Sequence, residues 1–359
     1  MNHIHRIVWS AARGAFVVAH ELARSGGKTT TTRTQSANLL PMALSAQVTP
    51  VSALALAVCL AMAAVALPAT SWAQTAANTL PTGGQVVGGV AAGSIATNGN
   101  AMTIAQNQQR MVANWNSFSI RSAASVNFQQ PTGGVALNRV TGAEPSEIFG
   151  RLTSNGSVYL VNPNGVLFGR TAQVDVGSLV ASTQNMADAD FMAGKTLFSR
   201  NGATGSVVNE GQINATLGGY VALLAPEVRN SGIIVARMGT VAMAAGDVVE
   251  LQFDGGKLAN VRVDPATIAT LIDNRSAVQA PDGHIILSAP AVSKLQGSAI
   301  KNSGTLDASS LSMKGGRIVL SADSIELSGT SVIDASGATG GGTVLVGGDW
   351  QGSNGVYQA

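Results

Sequence analysis

The sequence predicts an all-β fold: a parallel β-helix (solenoid) with an N-terminal β cap and small hairpin and helix inserts outside the coils. Three observations predict it. The 359 residues include 42 glycines but only 11% charged and 4% aromatic residues, where an ordinary globular chain carries about 25% charged residues. Short β-branched runs alternate with turns rich in Gly and Asn, which is strand-and-turn chemistry rather than helix chemistry. Beyond Gly150 the chain repeats itself: Val221 and Val241 stand 20 residues apart in like surroundings, as do Asn209 and Asn230 at 21. A period of about 20 residues with short strands and no helix in each copy is that of a parallel β-helix.

The first 73 residues read as a leader. Residues 1–28 are basic and, by composition alone, fit an amphipathic helix. Residues 51–67 form an unbroken run of small apolar side chains, short for a membrane span. Pro68 and then Ser71 and Ala73 follow, small residues that make a signal-peptidase site, so cleavage is expected between Ala73 and Gln74. This leader holds Arg6, Arg13, Arg24, Lys28 and Arg33 against Glu21, so the formal net charge of +2 belongs to it. The body carries 16 basic and 18 acidic residues with no basic patch, which removes the electrostatic support for nucleic-acid binding. The single cysteine, Cys59, lies in the leader, and His284 is the only histidine of the body. A cysteine-free chain can cross an oxidising compartment unfolded, where a disulfide would block threading. It also lacks thiol chemistry and zinc sites; no metal or cofactor is expected.

Residues 75–150 begin with short strands. Trp115, Phe118, Ile120, Val126 and Phe128 are the expected interior residues there, each contributing about 1.5–3 kcal/mol if fully buried.

Two motifs then recur. One is Gly-x-Val/Ile-x-Leu/Met, at Gly156, Gly219, Gly239, Gly283 and Gly316. The other is Asn-x-Gly-x-Ile/Leu-x-Ala, at Asn209, Asn230 and Asn302, with a decayed copy at residues 332–337. Each coil is expected to carry two or three strands. The Val, Ile, Leu and Ala positions stack coil on coil, and Gly and Asn take the corners, where left-handed or tight backbone is needed. A leucine-rich repeat shares the period but lacks this consensus. A β-sandwich would need hairpin turns throughout.

Two segments break the coil pattern. Residues 185–194 (NMADADFMAG) fit a short helix with Asn185 as cap, Asp188 in the first turn and Gly194 at the end. Asp264-Pro265 fits the start of a second helix running to about Asp273, with Asp as N-cap and Pro at the first helical position. Between them, residues 247–257 (DVVELQFDGGK) read as a hairpin about Asp-Gly-Gly.

The most specific local feature is Asn162-Pro163-Asn164-Gly165, between the apolar runs 158–161 and 166–168. Asn first, Pro second and Gly fourth fit a type I turn. By chemistry alone it is an ordinary corner.

An enzyme is not expected. β-Helices host polysaccharide lyases and hydrolases, but such sites need clustered carboxylates. Here acidic residues are scattered. The nearest pair, Asp188 and Asp190, falls on different faces of the first insert, and His284 reads as a solvent-facing coil position.

Two blocks carry a family resemblance. Met1-Asn2-x-Ile4-x-Arg6, Val8-Trp9, residues 14–18 (GAFVV), Glu21-Leu22-Ala23 and Gly27-Lys28 resemble the extended signal peptide region of very large exported proteins of Gram-negative bacteria. Residues 137–142 (LNRVTG, with Asn138 and Arg139), Pro145-Ser146-x-Ile148-x-Gly150-Arg151, residues 160–169 (LVNPNGVLFG) and residues 177–183 (GSLVAST) resemble the two-partner secretion domain of filamentous-haemagglutinin-like exoproteins. The family's second Asn-Pro-Asn motif, of the NPNL type, is absent.

The resemblance implies an extended signal peptide over 1–73, a right-handed β-helical secretion domain over 74–330, and the start of a continuing stalk over 331–359, where the chain reads as truncated. It implies export by the Sec translocon with signal peptidase, then passage through a partner outer-membrane β-barrel transporter with periplasmic docking domains. The folded product is secreted or held at the cell surface as an adhesin or haemagglutinin that meets host or neighbouring cells. The alternatives are the N-terminal part of a contact-dependent inhibition or haemolysin-type toxin and, more remotely, a polysaccharide-active enzyme. Asn162, Pro163, Asn164 and Gly165, with Asn138 and Arg139, are the candidate secretion or fold motif; whether the turn docks the transporter or only shapes the fold is left open by the residues.

Overall fold

The computed structural model describes residues 5–10, 15–20, 77–89, 93–293, 297–311 and 313–347. By contacts the chain divides into two units, Met1–Trp72 and Ala73–Ala359. In the first, His5–Ser10 and Ala15–His20 pair as antiparallel strands. Their Ile, Val, Trp and Phe content favours strand over the helix that the basic composition suggests. The apolar run 51–67, Ala73 and Gln74 lie outside the described residues.

The second unit is a parallel β-helix with three faces. In one coil, Arg151–Ser154 lies on the first face, Ser157–Val161 on the second and Val166–Phe168 on the third. Each pairs in parallel with the next coil: Gln173–Val176, Ser178–Ser182 and Ser206–Asn209 respectively. Parallel pairing through successive coils excludes the sandwich. The repeats stack as their spacing requires. Val158, Leu179, Val221, Val241, Ile285 and Ile318 stand in register along the second face, all fully buried.

The glycine of the first motif is needed for close approach. A Cβ on Gly219 would lie 2.0 Å from the carbonyl oxygen of Gly177, and one on Gly283 would lie 2.1 Å from that of Gly239. Neither position has positive φ. The backbone corners of successive coils simply touch.

The Asn of the second motif builds a ladder inside the third face. Asn209 Nδ2 donates to Asn230 Oδ1 at 2.8 Å, Asn230 to Asn274 at 2.8 Å, and Asn274 to Asn302 at 2.7 Å. Asn274 escapes the motif because its copy, Asn274-Arg275-Ser276, has Ser in place of Gly.

At the N-terminal end, Gln85–Gly88 and Gly93–Asn98 run antiparallel to Arg110–Trp115 and Ala101–Gln106 and cap the solenoid. Trp115, Phe118, Ile120, Val126 and Phe128 are all buried as expected.

The inserts differ from expectation in two ways. The first helix is Asp188–Met192, with Ala187 at its N-cap and no side-chain cap bond. Asn185 instead pairs by backbone with Ser199 and accepts from Arg139. The second expected helix is absent. Strand Lys257–Asp264 continues through Asp264, and Leu271–Asn274 is a third-face strand in register with Glu227–Asn230. Pro265 ends the excursion and the chain rejoins the coils at once, leaving no room for helical turns.

The hairpin is present as Val248–Asp254 and Lys257–Asp264, with Leu197–Ser199 as a third antiparallel strand. Helix and hairpin together cover the outer side of the second face. Val180, Tyr220, Ala222, Leu224, Ala242 and Ile286 point outward there and join Phe191, Phe198, Val249 and Leu251 in a second core. Strands Tyr220–Leu224 and Thr240–Ala244 are buried at every position and, Thr240 apart, read as apolar runs instead of alternating.

Candidate functional site

The Asn-Pro-Asn-Gly corner joins the second face to the third. The Gly165 amide donates to the Asn162 carbonyl at 3.0 Å, closing the expected turn. Gly165 has φ of 122°, which only glycine tolerates at low cost.

The tetrapeptide is split by burial. Asn162 is fully buried and works as an internal clamp. Its Nδ2 donates to the Glu144 carbonyl and to Ser146 Oγ, each at 3.0 Å, so it holds the preceding coil. Its Oδ1 accepts the Asn164 amide at 3.0 Å, and its own amide donates to Ser182 of the following coil at 2.9 Å. Pro163 and Asn164 are exposed. Asn164 Nδ2 reaches the Gly142 carbonyl at 2.9 Å. The next coil passes directly against the turn: a Cβ on Gly205 would meet the Pro163 carbonyl at 2.5 Å.

Pro163 and Asn164 border a polar groove of about 500 Å³ that Arg139, Asn185, Arg200 and Thr204 also line. Arg139 donates through Nε to Asn185 Oδ1 at 3.1 Å and pairs with Asp188 at 2.6 Å, tying the short helix to the coil. Arg200 pairs with Asp247 at 2.6 Å. Burial alone would raise the Asp247 carboxyl, but hydrogen bonds from Arg200 and Thr267 hold it below the usual carboxylate range. Asn138 is not part of this surface. It is fully buried inside the solenoid, accepting from Trp115 Nε1 at 3.0 Å and donating to the Ala136 and Tyr159 carbonyls at 3.3 Å. The corner thus gathers Asn162, Pro163, Asn164, Gly165 and Arg139, and leaves Asn138 to the core.

Ser146, Arg200 and Thr204 were not legible as site residues. Ser146 does stand in the Pro145-Ser146 block. Asn201-Gly202, with φ of 47° and 82°, is a turn signal that places the groove's far wall.

The remaining candidate groups have other employment. Asp188 and Asp190 face apart, pairing with Arg139 and Lys195. His284 is half-buried rather than solvent-facing, and burial, with the Arg317 cation, pushes its imidazole below the ordinary value. Among the described residues no three His, Cys, Asp or Glu side chains converge to hold a metal.

The profile of the TPS secretion domain matches residues 74–335. That of the extended signal peptide of the type V secretion system matches residues 1–49. A heme/hemopexin-binding protein of Haemophilus influenzae is 34% identical over 265 residues, covering 72% of this chain and 29% of that protein. A second H. influenzae protein of the same name is 33% identical over 259 residues, 66% of this chain and 28% of that one. The chain spans under a third of the length of these relatives. Among solved structures, the HMW1 secretion domain from H. influenzae superposes with a TM-score of 0.64 at 28% identity, covering 78% of this chain and 80% of that one.

Proposed function

The chain belongs to the family of TPS (two-partner secretion) domains, and on that premise we propose that residues 74–330 act as both the address and the folding start of an exported protein. The route leads through the periplasm to the cell surface or beyond. Residues 1–73 are the extended signal peptide, taken by the Sec translocon and removed by signal peptidase after Ala73. The domain then engages a partner outer-membrane β-barrel with periplasmic docking domains. It folds on the far side, each coil burying apolar surface on the one before. Residues 331–359 begin the stalk that continues the helix.

The observation that supports this reading most directly is the split within the corner. Asn162 ties three coils together from inside, while Pro163 and Asn164 stand outside beside the groove. One tetrapeptide thus serves both roles: Asn162 and Gly165 shape the fold, and Pro163 and Asn164 present the surface that the transporter reads. Secretion assays of Asn162→Ala and Asn164→Ala, with circular dichroism of the refolded proteins, test it. Asn164→Ala should lower secretion while the strand signal is kept; Asn162→Ala should lower both. Wild-type secretion of both variants would sink the recognition role.

The function of the exported product is binding, not catalysis: a surface adhesin that meets host or neighbouring cells. The name carried by the two Haemophilus relatives favours a second reading, in which the product binds heme or hemopexin. Adherence of cells displaying the full-length protein, set against hemopexin capture by the same cells, separates the two.

A further inference from the structure

Two inserts leave the solenoid at the same corner. Residues 184–205 follow the second-face strand Ser178–Ser182, and residues 245–270 follow the second-face strand Thr240–Ala244. Between them, residues 206–244 make two full coils, each with one strand on the third, first and second faces.

The inserts are fastened to each other. Gln184, fully buried, donates through Nε2 to the Gly246 carbonyl at 2.7 Å. Leu197, Phe198 and Ser199 pair antiparallel with Glu250, Val249 and Val248. The Leu251 amide donates to the Thr196 carbonyl at 3.1 Å and the Arg200 amide to the Asp247 carbonyl at 2.8 Å, closing the ladder at both ends. Asp247 is the pin. Its Oδ1 accepts from Arg200 Nε at 2.6 Å, and its Oδ2 accepts from the Thr267 hydroxyl and amide at 2.7 and 3.1 Å. It thus ties the first insert to the segment that returns to the coils.

Gln184 and Gly246 are 62 positions apart in the chain, and Arg200 and Asp247 are 47 apart. Contacts so distant return nothing until loop-closure entropy has been met. Once the intervening coils are stacked, the two exits stand two strand spacings apart, roughly 10 Å, and the inserts meet at little further entropic cost. The order that follows is coils first and clasp second. The clasp then covers the coils beneath it. Tyr220, Leu224 and Ala242 face outward from the second face and are buried in one cluster with Phe198, Val249 and Leu251. Thr240 Oγ1 also donates to the Leu258 carbonyl of the hairpin. The covered strands leave their stack only when the inserts have lifted.

We propose that the two inserts are the halves of a folding latch: they close on each other after the coils of residues 206–244 have stacked, and must part before those coils unfold. The latch governs how fast the folded domain comes apart, not how fast it forms. It concerns the folding of the domain and holds with or without the transporter reading.

Folding and unfolding rates of the secreted protein, followed by circular dichroism of the strands after denaturant jumps, test it. Asp247→Ala removes the pin. It should speed unfolding about tenfold or more and leave refolding within about twofold of wild type, the pattern of a contact made after the folding barrier. Slower refolding would place the clasp in the folding nucleus, and an unchanged unfolding rate would make it dispensable; either result overturns the proposal. If Asp247→Ala does not fold, Ser199→Cys combined with Val248→Cys carries the test. These positions face each other in the antiparallel pair and are half-buried, and residues 74–359 contain no cysteine of their own. The oxidised pair should unfold about tenfold or more slowly than the same protein reduced, while both forms refold alike. Equal unfolding rates, or faster refolding of the oxidised form, would likewise overturn it.

Discussion

Gly239 sits so close beneath Gly219 that a Cβ added to it would lie 1.7 Å from the Gly219 carbonyl oxygen. The contact is backbone on backbone, so no side chain can give way. Gly239→Ala should therefore push two coils apart and destabilise the domain by about 1–3 kcal/mol or more. At Gly329 an added Cβ meets nothing within 4 Å, and Gly329→Ala should stay within about 0.5 kcal/mol of wild type. Urea denaturation of the two variants checks the pair. Equal midpoints would show that the corner column is looser than its geometry.

Asn230 stands in the middle of the buried amide ladder. Asn230→Ala leaves the Asn209 Nδ2 without its acceptor and the Asn274 Oδ1 without its donor. An unpaired buried polar group costs about 1–3 kcal/mol, so this change should rank among the most damaging small substitutions in the coils. Asn98→Ala, at an exposed position of the cap, is the control. The same denaturation measurement decides, and a variant as stable as wild type would mean that the ladder is not closed in solution.

Tyr159 and Tyr220 share a hydrogen bond at 2.8 Å within the second core. Burial raises both phenols above the ordinary value of 10.0, Tyr159 the further, with the neighbouring Tyr220 adding to the shift. A raised folded value means stability that is whole below pH 10.0 and is lost as pH rises through the folded values. The ultraviolet tyrosinate signal of these two residues should thus lag the ordinary titration and arrive together with loss of the circular dichroism of the strands. Tyr159→Phe and Tyr220→Phe should each remove one part of the delayed signal. A signal at the ordinary pH with the fold intact would show that the insert opens off the second face.

His284 gives the acid side. Its folded value lies below the ordinary 6.5, chiefly through burial and then through Arg317. The unfolded chain therefore binds a proton that the folded chain resists. Stability should be whole above pH 6.5 and decline as pH falls below it, through the lowered folded value. His284→Gln should flatten that part of the stability-against-pH curve and leave the curve above pH 7 unchanged. Thermal melts at stepped pH read it, and an unaltered slope in the variant would exclude His284 as the source.

The sequence by itself determined the coils. Spacing near 20 residues, Gly before each Val-x-Leu run and Asn-x-Gly corners all reflect contacts between equivalent residues of neighbouring coils, and periodic contacts leave periodic traces. Val241 over Val221, or Asn230 over Asn209, could be paired from their positions in the repeat. The corner at Asn162 was legible for the same local reason, since turn chemistry is written in four adjacent residues. Tertiary structure alone decided what is not periodic. Asp264-Pro265 has a sound helix start, yet the need of Leu271–Asn274 to lie in register with Glu227–Asn230 overrides it. Asn138 and Arg139 are adjacent in the chain, yet the pleat sends one into the solenoid to Trp115 and the other out to Asp188. The outer core of Tyr159, Phe191 and Phe198 joins segments far apart in the chain through single contacts that no repeat announces.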